Sequence, residues 1–510
     1  MGRKILFVTT DQQRYDALGC TGNRVARTPV VDALAAKGIV YHRAHNQNTV
    51  CTPARSTMIT GQYVRTHGVV SNGIPLPVDA PSVAAHLHDA AGYRTALVGK
   101  AHFQPAFDPD GRWTENTLAR TGSTGPYRGF DHVELAMHGY LRRWHYDRWL
   151  ETNGPQWLDA YYPLLDFVSM GLNDEGGGDT GAPEVKHNPM PRGMYHTDWV
   201  ADRTIDWLDS LDPADDWFCW MSFPDPHHPW DPPVDEVRRR IDWHDLDLPP
   251  GHPGSRHKAT EILAQKPHHW LDWYEGRFQN MEGGPMRFVP GRMSDDQVRE
   301  VNALVHVENE LIDEAVGRVL ERIGQRGWAA DTDVVFTTDH GELQGDFGLL
   351  FKGPYHVDAL MRVPLVWRPA PSAGVPPAEV HEPVGHVDLA PTFCAIAGVP
   401  VPDWAQGHAL PSAPGSGRQW AITEWDSQFP HIGIRLRTLY RSGWLCTAYE
   451  SGPLYEGTEG ELYNLDDDPL QWRNLWDDPA YRARRNELVT DLYDNLPPER
   501  GERLAVEAPV

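Results

Sequence analysis

The sequence has few cysteines and no closely spaced pair of them. The five are odd in number and scattered, which argues against a disulfide framework: Cys20, Cys51, Cys219, Cys394 and Cys446. Long apolar runs are also missing. The run at residues 5–10 ends at Asp11 and is too short for a signal peptide or a membrane span. We therefore expect a cytoplasmic protein with no membrane partner.

Positive charge is scarce. The chain carries 46 Lys and Arg against 71 Asp and Glu, a formal net charge of −25. Such a chain repels a polyanion, so we expect no nucleic-acid partner. Hydrophobic residues at 40% and charged residues at 23% are typical of a folded protein and exclude a disordered one.

Short apolar runs alternate with helical patterns along the chain. Residues 5–8, 333–337 and 362–367 predict buried strands, and residues 304–323 and 391–397 have helical spacing. This alternation predicts an α/β fold with a large mixed, mostly parallel sheet flanked by helices. Asp11 follows the first strand and Asp339 the second, at the strand ends where such sheets bind ligands.

A linker-like composition at residues 411–417 divides the chain in two. We predict a large domain over residues 1–412 and a smaller α+β subdomain over 413–510, with a small antiparallel sheet and a terminal helix from about residue 480. Residues 103–190 and 231–295 are rich in Trp, Gly, Pro and Asp and predict irregular insertions. Their aromatic residues either pack against the core or build an apolar or cation-binding pocket.

The most informative segment is CTPARS at residues 51–56. From the residues alone, Cys51 is either a thiol activated by Arg55 or an ordinary cysteine at a helix start. The pattern C-x-P-x-R resembles the sulfatase family of the alkaline phosphatase superfamily, in which this Cys is oxidised to formylglycine. The resemblance implies the same modification of Cys51 and a formylglycine-generating enzyme as maturation partner.

The resemblance continues through most of the chain. FVTTDQQ resembles the first metal-binding strand end of the family, LVGKAHF its Gly-Lys-x-His segment and PHHP its Pro-His-x-Pro. Residues 334–366 resemble the second metal loop with its downstream lysine, and 27–39, 385–400 and 461–475 resemble further landmarks. Because these segments occur in the order of the family, an alkaline-phosphatase-like fold is expected, with residues 1–412 as the catalytic domain.

The resemblance implies one divalent metal ion. Its ligands are expected to be Asp11, Gln12, Cys51, Asp339 and His340. From the residues alone, Asp-His-Gly after a strand also fits a turn. Oxygen ligands suit Ca²⁺ and imidazole suits Mn²⁺, so both ions remain candidates. Gln12 and His340 depart from the arylsulfatase pattern and resemble the choline-sulfatase and phosphonate monoester hydrolase branches.

An anionic substrate needs a positive pocket in a chain of this charge. Arg55, Lys100 and Lys352 can supply it, although a lone lysine such as Lys100 is more commonly a surface residue. Between the two histidines of PHHP, the motif register assigns the functional role to His227. The substrate-binding residues are expected to be Asn72, Lys100, His227 and Lys352.

The resemblance also implies a mechanism, the hydrolysis of a small anionic sulfate monoester through a covalent sulfo-enzyme intermediate. A metal-bound hydroxyl of hydrated formylglycine attacks sulfur, Lys352 neutralises charge and His227 protonates the leaving alcohol. His102 then deprotonates the remaining hydroxyl to release sulfate. Arg55 and Lys100 hold the reacting group in place.

Three other functions stay open. A phosphonate monoester or phosphodiester hydrolase is supported by HGVVSNGIPL at residues 67–76, which includes Asn72, whereas GKAHF favours sulfate. The others are a catalytically silent, metal-dependent binding protein and a hydrolase that uses a free Cys51 thiolate. Assembly into a homo-oligomer also stays open.

Overall fold

The computed structural model describes residues 2–106, 108, 111–163, 176–280, 283–285, 288–427, 429 and 431–508. The β-strands are β1 (Lys4–Thr10), β2 (Ile39–Tyr41), β3 (Ala44–His45), β4 (Arg94–Gly99), β5 (His132–Leu135), β6 (Trp217–Ser222), β7 (Thr332–Thr338), β8 (Leu365–Arg368), β9 (Ala378–Val380), β10 (Val384–Gly385), β11 (Trp420–Asp426), β12 (Arg435–Arg441), β13 (Trp444–Tyr449) and β14 (Gly460–Asn464).

The α-helices are α1 (Pro29–Ala36), α2 (Cys51–Thr60), α3 (Val64–His67), α4 (Val83–Ala91), α5 (Thr114–Thr121), α6 (His145–Asn153), α7 (His196–Ser210), α8 (Val234–Arg240), α9 (Arg256–Leu263), α10 (His269–Glu275), α11 (Asp295–Gln325), α12 (Asp358–Met361), α13 (Leu389–Ala397) and α14 (Arg482–Asp494). Among the described residues, no helix is both long and apolar enough to cross a membrane.

The main sheet has eight strands in the order β5-β4-β6-β1-β7-β8-β2-β9. The five strands from β5 to β7 are parallel to one another, and β8 is antiparallel to both β7 and β2. Every residue of β1, β6 and β7 is buried, as expected for strands covered on both faces. The predicted mixed, mostly parallel sheet is confirmed.

Helices cover both faces of this sheet. Side chains alternate along β1, so Ile5 and Phe7 face one hydrophobic cluster, and Leu6 and Val8 face another. Helices α2, α4 and α13 pack on the Ile5 side, and α1, α7 and α11 on the other. The main sheet therefore forms the middle layer of a three-layer sandwich.

Two predicted elements begin three or more residues away from their predicted first residue. The helix predicted over residues 304–323 begins nine residues earlier, because Ser294 and Gln297 form a capping box at its start. The strand predicted over 362–367 begins only at Leu365, since Pro364 before it has no N–H for the ladder.

The chain after residue 412 forms a separate sheet. Strands β11 to β14 are antiparallel and in sequence order, and α14 packs on β12 and β13. This sheet meets the main body closely: the N–H of Glu424 donates to the carbonyl of Gln47 at 3.0 Å. The small antiparallel sheet is confirmed, and the boundary at residue 412 stays a prediction.

The regions 103–190 and 231–295 are more regular than predicted. Strand β5 pairs with β4 as the edge of the main sheet, so the expectation of an irregular insertion is wrong at this point. Helices α8, α9 and α10 lie in the second region. Residues 107, 109–110, 164–175, 281–282 and 286–287, which belong to these predictions, lie outside the described residues.

The aromatic residues of these regions mostly pack in the core. Trp230, Trp270 and Trp273 are each fully buried in one hydrophobic cluster with residues of the 343–360 loop. Tyr162 differs, because it lines a cavity of about 190 Å³ together with Glu184 and Phe288. Packing therefore accounts for these three tryptophans, and Tyr162 faces a cavity.

Candidate active site

Four neighbouring strands of the main sheet end at one cluster of polar side chains. Asp11 follows β1, Asp339 follows β7, Lys100 follows β4 and His227 lies in the loop after β6. Because these strands are adjacent and parallel, their carboxyl ends meet at one edge. The fold thus brings together residues that are more than 300 positions apart in sequence.

Cys51 enters this cluster from the start of helix α2. All ten residues of that helix are buried. The Sγ atom of Cys51 lies 3.1 Å from Nε2 of His340 and 3.6 Å from Oδ1 of Asp11. Asn72 contacts the same helix start, where its Oδ1 accepts a hydrogen bond of 3.0 Å from the N–H of Thr52. Cys51 is therefore held at the centre of the polar cluster.

A group of ligand atoms suited to a metal ion surrounds Cys51. One atom from each of Asp11, Cys51, Asp339 and His340 lies within 4.8 Å of all the others, and all four residues are buried. The Nδ1–H of His340 donates to the carbonyl of Gly341 at 2.9 Å, so Nε2 is the nitrogen free to bind a metal. Two carboxylates and an imidazole fit a divalent ion in this place.

Arg55 links the two carboxylates of this group. Its Nε donates to Oδ2 of Asp339 at 2.8 Å and its Nη2 to Oδ2 of Asp11 at 3.0 Å. Lys100 Nζ lies 2.6 Å from the same Oδ2 of Asp11. Burial favours the protonated form of Asp11, but Lys100 and Arg55 outweigh it and hold its pKa well below the usual value. The carboxylate is therefore charged and ready to bind a cation.

Gln12 lies next to this group and its side chain is held from both ends. Its Nε2 donates to Oε2 of Glu342, and its Oε1 accepts from Lys352 Nζ at 2.5 Å. The backbone N–H of Gln12 donates to Oδ1 of Asp339 at 3.1 Å. The amide oxygen thus points toward Lys352, at the border of the four-residue group.

Lys352 and His227 form a direct hydrogen bond. Lys352 Nζ lies 2.6 Å from Nε2 of His227. Nδ1 of His227 contacts the carbonyl of His228, which accepts a proton only. Nδ1 therefore carries the hydrogen and Nε2 accepts from the ammonium. Burial, then the charge of Lys352, lowers the pKa of His227 well below its usual value, so the imidazole is neutral.

His102 is buried beside the cluster with a backbone φ of +54°. Neither ring nitrogen has a hydrogen-bond partner among the described residues. Burial, followed by the charges of Lys100 and Arg55, lowers the pKa of His102 well below its usual value. A neutral buried imidazole without a partner is suited to accept a proton from a group that binds in the site.

The sulfatase family model matches residues 3–399, which is most of the chain. The chain belongs to the sulfatase family. Members of this family use a divalent metal ion and formylglycine, and the buried group around Cys51 fits both. The family and the fold that the motifs predicted are confirmed.

Relatives of this sulfatase-family chain cover nearly all of it. It is 26% identical over 498 residues to "Uncharacterized sulfatase YidJ" of Escherichia coli, with 96% of this chain and 87% of that protein covered. It is 24% identical to "Choline-sulfatase" of Rhizobium meliloti, with 93% and 82% covered. The solved structure of the phosphonate monoester hydrolase of Agrobacterium radiobacter matches this chain with a TM-score of 0.78 at 24% sequence identity. The match covers 96% of this chain and 95% of that chain, and it shows the fold.

The structure also places residues in the site that the motifs did not single out. The His138 ring stacks on His227 with centroids 4.1 Å apart. The His228 ring also stacks on His227, with centroids 4.2 Å apart, and Glu342 orients Gln12. Ser222, at the end of β6, accepts from Nη1 of Arg55 at 2.9 Å. His228 and Glu342 had a sequence signal, since they lie in the PHHP segment and two residues after His340, whereas His138 and Ser222 had none.

Proposed function

We propose that this chain is a formylglycine-dependent sulfatase that hydrolyses small anionic sulfate monoesters. The supporting observation is the set of cations around Cys51: Arg55 and Lys100 are fully buried, and Lys352 is 3% exposed. Buried cations are costly unless they pair with anions. Arg55 and Lys100 pair with Asp11, and Arg55 also with Asp339, whereas the partners of Lys352 are the neutral acceptors Gln12, His227 and His228. In a chain of net charge −25, they provide a local site for an anionic ester.

Asp11, Asp339 and His340 are the residues proposed to hold the metal ion, with Gln12 and the modified Cys51 completing the set. Their mixture of carboxylate, amide and imidazole ligands keeps Ca²⁺ and Mn²⁺ as the two candidates. When bound, the metal and the hydrated aldehyde of residue 51 supply a nucleophilic oxygen of lowered pKa. The 3.1 Å distance between Cys51 Sγ and His340 Nε2 supports a place for the modified side chain among these ligands.

The remaining side chains have complementary roles in the proposed reaction. Arg55 and Lys100 hold Asp11 and the group at residue 51, since both cations contact Oδ2 of Asp11. Lys352 stabilises negative charge on the transferred group and shares its proton with His227, which delivers it to the leaving alcohol. His102, neutral and without a partner, accepts a proton in the second half of the reaction.

A phosphonate monoester or phosphodiester hydrolase is the second candidate. Gln12 and His340 occupy metal-site positions that resemble that branch, and Asn72 lies at the start of the Cys51 helix. The Lys100-x-His102 pair supports the sulfate ester instead, because both side chains lie at the cluster. The same retained set of cations argues against a catalytically silent protein.

A free-thiolate hydrolase is disfavoured by the environment of Cys51. Burial, and next the charge of Asp11, raises the pKa of the Cys51 thiol to about 12. An activated thiol needs the opposite shift, toward or below neutral pH. Iodoacetamide should therefore leave the activity of the matured enzyme unchanged.

The deciding experiment compares kcat/KM for an aryl sulfate and an aryl phosphonate monoester. The protein used is one whose residue 51 peptide carries the aldehyde by mass spectrometry. Preference for sulfate supports the sulfatase, and preference for the phosphonate supports the second candidate. Cys51→Ala should abolish turnover of both esters, whereas Cys20→Ser, at a half-buried cysteine outside the cluster, should retain it.

A further inference from the structure

His228 occupies the variable position of the Pro-His-x-Pro motif, yet it lies inside the site. Its ring stacks on the ring of His227 with centroids 4.2 Å apart and planes 19° apart. Its Nε2 lies 3.3 Å from Lys352 Nζ. One side chain therefore contacts both members of the Lys352–His227 pair, although neither metal binding nor acid–base transfer has been assigned to it.

Glu184 fixes the orientation of the His228 ring. The Oε2 atom of Glu184 forms a hydrogen bond with Nδ1 of His228, and the carboxyl is 9% exposed. Phe351 packs edge-on against the same ring at 4.8 Å. With the hydrogen on Nδ1, the lone pair of Nε2 faces Lys352, as in the carboxylate–histidine pairs that orient metal ligands.

Lys352 has three N–H groups and three acceptors. Its Nζ lies 2.5 Å from Gln12 Oε1, 2.6 Å from His227 Nε2 and 3.3 Å from His228 Nε2. An ammonium group on a flexible stem is restrained more by three acceptors than by two, because each of its N–H groups then has a partner. His228 supplies the third acceptor.

The charges are also balanced through this contact. Burial raises the pKa of Glu184 to about 8, and Lys352 opposes that rise. The hydrogen bond from His228 Nδ1 favours the ionised carboxylate. Above about pH 8, a negative carboxylate, a neutral imidazole and a positive ammonium follow one another through the hydrogen bonds Glu184–His228–Lys352.

We propose that Glu184 and His228 form a positioning pair that aims the Lys352 ammonium at the transferred group. The pair acts through Lys352 and is not itself in contact with the reacting atoms. This inference rests on the proposed function, in which Lys352 stabilises negative charge that develops in the reaction. The loss of a correctly placed charge acts on the transition state, so kcat should fall with little change in KM.

Two substitutions of His228 separate its two hydrogen bonds. His228→Asn places an amide N–H near the position of Nδ1 and keeps the bond to Glu184, but it has no acceptor for Lys352. His228→Gln places an amide oxygen near the position of Nε2 and keeps the bond to Lys352. At pH 8.5 we expect kcat to fall about 10- to 100-fold in His228→Asn and less than about threefold in His228→Gln, with KM changed less than about threefold in both.

Glu184→Ala should lower kcat by the same order as His228→Asn, and the double variant should be no worse than either single variant, because both act through one contact. Glu184→Gln, which keeps the shape and an acceptor, should lie between Glu184→Ala and the wild type. His132→Asn is the matched control, since it breaks a histidine–carboxylate contact of 3.0 Å with Glu134 on the edge strand β5. Melting temperature and aldehyde content of every variant separate these effects from folding and maturation.

Equal losses in His228→Asn and His228→Gln would indicate a packing role for the ring and would overturn the inference. Rates are measured with both the sulfate and the phosphonate ester. The ester that the wild type prefers tests the proposed function, and the ratio of variant kcat to wild-type kcat tests the Glu184–His228 pair. Calorimetric binding of inorganic vanadate gives the same comparison without turnover: His228→Asn should bind it about tenfold more weakly than His228→Gln. Equal vanadate affinities would contradict the pair even if the wild type hydrolyses neither ester.

Discussion

Lys352 Nζ donates a hydrogen bond of 2.6 Å to Nε2 of His227. In the proposed reaction the two side chains act as one unit that supplies a proton to the leaving alcohol. Residues that act as a unit give non-additive rate losses when they are replaced together. We expect the loss of kcat/KM in the double variant Lys352→Ala/His227→Ala to be smaller than the product of the single losses, by a coupling of at least about 1 kcal/mol.

The measurement is kcat/KM for the four proteins of this cycle on one aryl ester. The control cycle pairs Lys352→Ala with Arg318→Ala, a half-exposed arginine paired with Asp202 on the surface, and should be additive. Independent losses in the Lys352–His227 cycle would show that the proton is not shared between them.

Arg55 pairs with both carboxylates of the proposed metal site. Without its guanidinium, Asp339 loses its arginine partner and Asp11 keeps only Lys100, so Arg55→Ala should lower the free energy of unfolding of the metal-free protein by about 3–5 kcal/mol. Added Mn²⁺ or Ca²⁺ should recover part of that loss. Urea unfolding with and without the metal measures both effects, and a metal-independent loss would indicate that the carboxylates are not the ligands.

Chelation should reduce both activity and stability of the wild type. A ligand that binds only the folded state stabilises it, and removal of the cation leaves Arg55 as the only cation that contacts both Asp11 and Asp339 among the described residues. The melting temperature should fall with EDTA and rise again with the native metal. Separate titrations of the chelated protein with Ca²⁺ and with Mn²⁺ identify the native ion as the one that restores the melting temperature. A melting temperature that changes with neither EDTA nor added metal would show that the metal does not stabilise the fold.

Asn72 has a local role in addition to its proposed contact with substrate. Its Oδ1 accepts from the N–H of Thr52, one of the unpaired donors at the start of α2. Asn72→Ala should lower the free energy of unfolding by about 1 kcal/mol. Asn72→Asp keeps the acceptor but adds negative charge, so it should raise KM for an anionic ester about tenfold or more. Unchanged KM in Asn72→Asp would place Asn72 away from the substrate.

Acid should destabilise this protein through its buried histidines. Burial lowers the pKa of five of them to about 3: His45, His67, His269, His356 and His386. The unfolded chain binds a proton at each of these near pH 6.5 and the folded chain does not, so stability is lost as pH falls below about 6.5. Each histidine contributes up to about 1.4 kcal/mol per pH unit.

Urea unfolding between pH 7 and pH 5 measures this slope. His67→Asn keeps an acceptor for the N–H of Val69, now bonded to Nδ1 at 3.1 Å, but removes the titrating ring. In that variant the free energy of unfolding should depend less steeply on pH, by an amount that corresponds to the uptake of up to one proton. The same slope in both proteins would assign the proton uptake to other groups.

Maturation should require an unfolded Cys51 segment. Cys51 is 1% exposed, and every residue of α2 around it is buried. A folded chain with an unmodified cysteine should therefore resist a formylglycine-generating enzyme, and the same chain in urea, or a peptide of residues 45–65, should be converted. Mass spectrometry of the residue 51 peptide reports the result, and conversion of the folded chain would contradict this.

The sequence predicted the central sheet and most of the site because their signals are local. The apolar runs before Asp11 and Asp339 are strands in the structure, and the C-x-P-x-R segment begins a helix. His138 and Glu184 had no such signal, since their contacts with His227 and His228 arise only from tertiary packing. The edge strand β5 was missed for a related reason: four residues among many Gly, Pro and Trp do not establish a period.

Strand β1 lies between β6 and β7. Its pairing on both edges is therefore completed only after β7, which is synthesised much later. Cys51 and His340, whose side chains touch in the folded protein, are separated by 289 positions. At roughly 5–20 residues per second, a ribosome needs roughly 15–60 s to cover that interval. During this time the nascent Cys51 segment lacks β7 and His340, which bury it in the folded protein. The strand order therefore keeps the cysteine accessible to a maturation enzyme until the second half of the sheet has been synthesised.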